Sequence, residues 1–395
     1  MKDNRTEYGF VRKKLIIRPA DWCIIIALFC SFMILLMDPL NIDSIVSFSS
    51  RLLILVTFGF SLLELFFVLK GKVSKNAYFF LGVIVSVVFA ILFSGISSIK
   101  VRIVPLVCFF MLPVLLLLYK NISNVKLIKK AIYVFNWLCT IVWTMFSFSA
   151  LSHIYYGEYG METIDSLTLG YANPNQTGMY LFVAFIIAFT GFNRKIKVKY
   201  KILYLIQSLW LFYLVVQTQS RTCIILCIII LLFWVTKLFK KISHGIIDIA
   251  LLIPLALAIV FLFGVEWIQD FFVFGEKLDT GRGYLIKEIV NNLNLGNFLF
   301  GDFLSWAGSN LHNSYITIFA IYGIIGIGAY ILFLRNIIQQ YFKKMNKNSA
   351  SASIAFLGIL AIVLHGSMES AFLTAGMVYG SLFSLLFILT LNEEK

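Results

Sequence analysis

Apolar residues along this chain neither alternate with polar ones nor recur at every third or fourth position. They run on for about 20 residues at a time and are then cut by polar stretches. Hydrocarbon offers the backbone no hydrogen-bond partners, so such a run must pair its own N–H and C=O groups within one segment, as a helix does. A membrane barrel would show short alternating strands instead. Runs of this kind lie at about 20–37, 45–69, 77–94, 103–119, 131–151, 174–192, 201–217, 222–239, 246–264, 312–334, 350–367 and 371–391. The pattern predicts an all-α polytopic membrane protein of about twelve transmembrane helices. Gly366 to Ser370 barely separates the last two runs.

Composition supports lipid as the solvent. The 395 residues are 60% hydrophobic and 13% charged, and mean hydropathy is +0.91. A soluble domain carries roughly a quarter charged residues. The six cysteines, Cys23, Cys30, Cys108, Cys139, Cys223 and Cys227, all fall inside apolar runs, with no spacing that suggests a zinc site or a disulfide framework. They read as small apolar fillers, and no metal or other cofactor is expected.

Charge sets the expected orientation. With the N-terminus inside, inner segments hold 26 of the 33 Lys and Arg residues, and outer segments hold Lys100, Arg102, Arg221, Lys277, Arg282 and Lys287. That asymmetry is the positive-inside pattern. It accounts for the net charge of +14 without any nucleic-acid partner, as an inner-face surplus resting on anionic membrane lipid. The start, MKDNRTEYGFVRKKLIIRPADW, is basic and lacks a small-residue cleavage site, so it reads as a cytoplasmic tail. The expected organisation is a tail at 1–19, nine spans within 20–264, a large extracytoplasmic loop at 265–311, three spans within 312–391 and a second cytoplasmic tail at 392–395. Within the large loop, YLIKEIVNNL repeats apolar residues at helical spacing and predicts a short helix on the membrane surface. A second outer loop, at about 152–173, contains no Lys or Arg. The inner loops are short and contain no Gly-rich phosphate-binding loop, which speaks against ATP-driven transport by this chain alone.

On a cation-poor outer face, each cation is informative. Arg221, in TQSRT, sits in a tight turn between two spans, and Arg282, in DTGRGY, sits in the large loop between two glycines. A guanidinium stays charged and offers a planar fork to phosphate oxygens. Two of them over a hydrophobic cavity would suit a lipid-linked pyrophosphate, although interfacial snorkelling or a solvated loop charge explains each equally well. His312 opens LHNSYITIF, where imidazole can exchange a proton near neutral pH. Asn313 and Tyr315 beside it could hydrogen-bond sugar hydroxyls. His365 and Glu369 lie four apart at the outer end of a span, an ionisable pair at membrane depth. Asn173 and Asn175 flank Pro174 at the start of the sixth span, where helix capping is an alternative to sugar binding. Arg51 lies six residues into a span and either snorkels outward or lines a cavity.

Together these pieces resemble the bacterial O-antigen polymerase and O-antigen ligase superfamily, in particular Wzy-type capsular or exopolysaccharide polymerases. The resemblance spans about 170–370 and rests on order: NPN before a span, TQSRT at a span end, then TGRGY and LFGDF in the large loop, LHNSYITIFAIYGIIG leading back into the membrane, and a Glu near the chain end. It implies a GT-C-like fold and a metal-independent glycosyltransferase acting on oligosaccharides linked to undecaprenyl pyrophosphate. It assigns Arg221 and Arg282 to the pyrophosphate, His312 to the catalytic base or acceptor-orienting role, and a supporting role to Glu369. A flippase and a chain-length regulator are the implied partners. Two alternatives stay open: a ligase that moves the glycan to another acceptor, and a glycolipid transporter. A transporter would show internal symmetry and broken, ionisable mid-span helices.

Overall fold

The computed structural model describes residues 77–94, 99–119, 122, 124–149, 153–156, 164–171, 174–238, 243–263, 282–307, 311–346, 348–369 and 376–392, with isolated positions before 77. The expected spans at 20–37 and 45–69, and Arg51, Asn173 and Lys277, lie outside the described residues or nearly so.

The chain is a bundle of apolar helices. They are α1 (Ala77–Ser94), α2 (Ile99–Tyr119), α3 (Val125–Ser147), α4 (Pro174–Phe192), α5 (Val198–Gln217), α6 (Arg221–Val235), α7 (His244–Phe263), α8 (Arg282–Asn291), α9 (Leu295–Phe300), α10 (Phe303–Trp306), α11 (Ser314–Lys344), α12 (Ala350–His365) and α13 (Gly376–Thr390). By length and apolarity α4, α5 and α11 can each cross a membrane, and α6, α7 and α12 are shorter apolar helices. The fold is that of a helical membrane protein. Helix starts follow capping chemistry: the Asn124 side chain accepts from Leu127 N at α3, and Ser349 from Ala352 N at α12.

Helix α4 is the axis. It packs on α3, α5, α6, α12 and α13, and every residue from Thr177 to Gly191 is buried. A helix apolar on all sides is stable only when walled in by others. By contrast, α5 turns Ile202, Leu203, Ile206, Leu209 and Tyr213 outward, as lipid solvent allows. Buried polar side chains join the helices. Asn136 donates to Ala184 O (3.1 Å), Gln207 to Thr140 Oγ1 (2.8 Å), and Trp210 to Thr144 Oγ1 (2.8 Å). Such bonds hold apolar helices together where lipid competes for every aliphatic contact.

The bundle has two chemically distinct ends. At one, Lys129 Nζ donates to Leu391 O (2.7 Å), Arg194 stacks over Tyr133 (4.8 Å), and Trp234 donates to Asn193 Oδ1 (2.8 Å). Arg335 also lies toward this end and grips Asp248 with two bonds of 2.7 and 3.1 Å. The basic residues of the turns after α4 and α11 gather here. The sequence reading stops this span at 334, whereas α11 runs on to Lys344 and carries Arg335 into that pair.

Three features depart from the sequence expectation. The 152–173 loop contains an antiparallel hairpin, β1 (His153–Tyr156) with β2 (Ile164–Leu167), in the register His153 opposite Leu167. Leu167, Leu169 and Tyr171 are buried, so this loop is docked on the bundle. The end of the large loop is likewise not a free soluble piece: α9 and α10 pack on α1 and α11 and bury Phe303, Leu304 and Trp306. The expected short helix does form, as α8, and it lies against α7. Finally, α11 is broken at Gly323 (φ 66°). A Cβ there would strike Leu299 C and O and Phe300 N, and one at Gly301 (φ 76°) would strike Ile321 C and O and Tyr322 N. Two backbones cross in direct contact, and Asp302 N donates to Ala320 O (2.7 Å) beside the crossing. Glycine is required on both sides, by space and by dihedral angle.

Candidate functional site

The other end of the bundle carries the candidate chemistry. Its centre is the start of α11. Asn313 is the N-cap: its Oδ1 accepts from Tyr315 N (2.9 Å) and Ile316 N (3.0 Å). Its Nδ2 donates to Ser367 O (2.8 Å). Ser314 N donates to Gly366 O (2.7 Å), and Ser314 Oγ to Glu369 O (2.9 Å). These bonds zip the chain before α11 to the turn after α12. His312 stands just outside the cap in the left-handed region (φ 51°). That conformation is uncommon for a residue with a Cβ and persists only where the surroundings fix it.

The zip aims His312 at Glu369. Nδ1 of the imidazole lies 3.2 Å from Glu369 Oε2. The other carboxylate oxygen accepts from Asn175 Nδ2 at 3.4 Å. The Glu369 side chain is 11% exposed and that of His312 is 32% exposed. To an ionised carboxylate, which can only accept, His312 would donate from Nδ1. In the neutral ring the lone pair is then on Nε2, the nitrogen suited to take a proton. Glu369 thus hydrogen-bonds His312, while His365 lies near enough to feel its charge.

Arg221 begins α6 at this same end and is exposed. Two residues along, Cys223 Sγ lies 4.0 Å from His365 Nε2, which ties the start of α6 to the end of α12. The turn before it is seated on α4: Thr218 and Ser220 are buried, and Gln219 is left-handed (φ 56°). Arg282 is the first residue of α8, and its side chain lies outside the described residues.

Several residues singled out in the sequence serve the fold instead. Asn313 uses both ends of its amide internally and is buried, so it does not present itself to a sugar. Tyr315 is buried and donates to Val363 O (3.0 Å). His365 is buried against Cys223. The sequence had marked all three because polarity near a span end looks alike whether it faces inward or outward. Asn175 is exposed and donates to Glu369, which places it beside the His312 pair. The sequence reading missed Ser314 and Gly178. Ser314 follows the cap residue, and its hydroxyl serves the turn after α12, a role no local pattern announces. Gly178 carries no mark in the sequence beyond being the fifth residue of a helix.

No protein-family model, curated protein or solved structure matches this chain. The functional reading therefore stands on residues and geometry. Between α7, α9 and α11 lies an apolar cavity of about 240 Å³ lined by Leu255, Ile259, Phe298, Tyr315, Phe319 and Ile331 among others, with Tyr315 its lining residue nearest the start of α11. Among the described residues no group of His, Cys, Asp and Glu could hold a metal ion.

Proposed function

We propose that this protein is a polymerase of surface polysaccharide, capsular, exopolysaccharide or O-antigen, in a bacterial plasma membrane. It transfers a growing glycan from undecaprenyl pyrophosphate to an incoming lipid-linked repeat unit. In this reading the chain has about twelve spans in a GT-C-like arrangement, its basic end faces the cytoplasm, and the His312 end faces outward. The observation that carries the proposal is the His312–Glu369–Asn175 constellation at the cation-poor end of the bundle, the end it shares with Arg221.

Chemically, His312 Nε2 accepts the proton of the attacking sugar hydroxyl. Glu369 orients the ring and stabilises the imidazolium that forms. The hydroxyl oxygen bonds to the anomeric carbon of the growing chain as the bond from that carbon to the pyrophosphate oxygen breaks. Arg221 and Arg282 stabilise the charge developing on the leaving pyrophosphate, the term a metal ion would otherwise supply. The apolar cavity would take part of the lipid carrier.

Deletion of the gene followed by sizing of the surface glycan tests the reading. A strain without the protein should show single repeat units, and His312→Ala or Arg282→Ala should fail to restore long chains. Long chains left on the lipid carrier would instead identify a ligase, and unaltered glycan would refute both.

A further inference from the structure

The first turns of α4 hold three separate segments, one per residue or pair. Asn175 donates to Glu369, and through Glu369 it reaches His312. Thr177 Oγ1 donates to Thr168 O at 2.6 Å, beside the left-handed pair Leu169 (φ 52°) and Gly170 (φ 83°). Gly178 meets the turn that precedes Arg221: a Cβ built on it would lie 2.7 Å from Ser220 Cβ, and 3.1 Å from both Ser220 Oγ and Thr218 Oγ1. Ordinary contact begins at 3.4 Å, so any side chain here must drive the turn outward by about 0.7 Å. The turn has little give, because Ser220 N donates to Thr218 Oγ1 (3.3 Å), Thr218 Oγ1 donates to Val215 O (2.7 Å), and Gln219 is left-handed. Asn175 and Gly178 are three residues apart, about 4.5 Å along the helix. One short stretch of α4 is thus the common reference for Arg221 on one side and for His312 on the other.

We propose that Gly178 is a positioning residue: its missing side chain lets the turn of Thr218 to Arg221 seat on α4, and this sets the spacing between the Arg221 guanidinium and the His312 imidazole. The inference rests on the reading of Arg221 and His312 as one reacting site, and its test separates the two. Angstrom-scale misplacement of a reacting group can cost on the order of 100-fold in rate. Ser220→Gly is the compensating change. It removes both Ser220 atoms that a Cβ at 178 would strike, leaving Thr218 Oγ1 at 3.1 Å; the Ser220 hydroxyl caps no backbone N–H of α6, and the bond it gives up is to the Cys223 side chain.

The experiment uses the full chain in lipid nanodiscs, with the six native cysteines replaced and nitroxide labels at Arg221→Cys and His312→Cys. Gly178→Ala should shift or broaden the label-to-label distance distribution, and Gly178→Ala with Ser220→Gly should return it to that of the parent. An unchanged distribution in Gly178→Ala, or a shift that Ser220→Gly does not reverse, overturns the proposal. If Gly178→Ala fails to fold, a folded double variant with the parental distance supports the proposal, and a double variant that still fails to fold overturns it. In parallel, unlabelled Gly178→Ala in cells should lose long glycan and the double variant should regain it. Distances that respond while glycan length does not would leave the positioning role standing and refute the polymerase reading.

Discussion

Replacing Gly323 by alanine probes the backbone crossing directly. Three costs can be read from the structure. Alanine at φ 66° and ψ −170°, a region essentially reserved for glycine, loses about 1–3 kcal/mol. The new Cβ meets backbone atoms of Leu299 and Phe300, which cannot rotate away, so α9 must lift from α11. Lifting breaks the bond from Asp302 N to Ala320 O, worth about 1 kcal/mol. The total is about 3 kcal/mol, on the order of a 100-fold shift toward the undocked arrangement. Equilibrium unfolding in mixed detergent, followed by tryptophan fluorescence, measures it; Trp306 sits in the displaced segment and reports on it. Gly301→Ala should cost about the same. The double variant should cost little more than either single one, because both changes break one crossing. Stability of Gly323→Ala equal to that of the parent would refute the argument, and so would single effects that add in full.

Three further outcomes follow from the site and the bundle. In the proposed mechanism Glu369→Gln removes the charge that would stabilise the His312 imidazolium and lets Nδ1 accept instead of donate; glycan turnover should fall by at least about tenfold while unfolding stability changes little, whereas equal turnover would remove His312 as the base. Asn313→Ala removes a cap worth about 1 kcal/mol and the bond to Ser367 O; detergent unfolding should register a loss of about 2 kcal/mol, and a loss below about 0.5 kcal/mol would mean that the cap does not hold the zip. Gln207→Leu exchanges interhelical bonds for aliphatic packing and also removes Oε1, which is buried without a hydrogen-bond partner. Stability should fall by no more than about 1 kcal/mol, and a drop of several kcal/mol would show the polar cluster to be a stronger lock than membrane hydrogen bonds usually are.

Much of the bundle was legible from apolar run length. The apolar runs at 77–94 and 174–192 coincide with the helices α1 and α4, and those at 103–119, 201–217, 222–239, 246–264 and 350–367 match helices within a few residues. Run length could not show the break at Gly323, because a glycine inside AIYGIIG looks like any small residue until its dihedral angle is known. It also said nothing of the docked hairpin at 153–167, whose short strands sit in a stretch of mixed polarity. At the site, His312 and Glu369 were each visible as unusual polar residues at a span end. Their pairing was not, because they lie 57 positions apart and meet through the zip of Asn313 and Ser314. Asn313 was legible as polar but not as inward-facing; that distinction is made by the turn after α12, which offers it Ser367 O.

The enclosure of α4 bears on how the molecule is made. Its mean hydropathy of 1.3 is well below the 2.2 of α11, and 83% of its most apolar window is sealed from lipid. Such a segment is a modest candidate for the bilayer on its own, and in the mature protein it meets almost no acyl chains. Part of the wall around it comes from α12 and α13, which follow it by more than 150 residues. Synthesis from the N-terminus thus makes α4 and α5, which pack on each other, well before the helices that complete the enclosure.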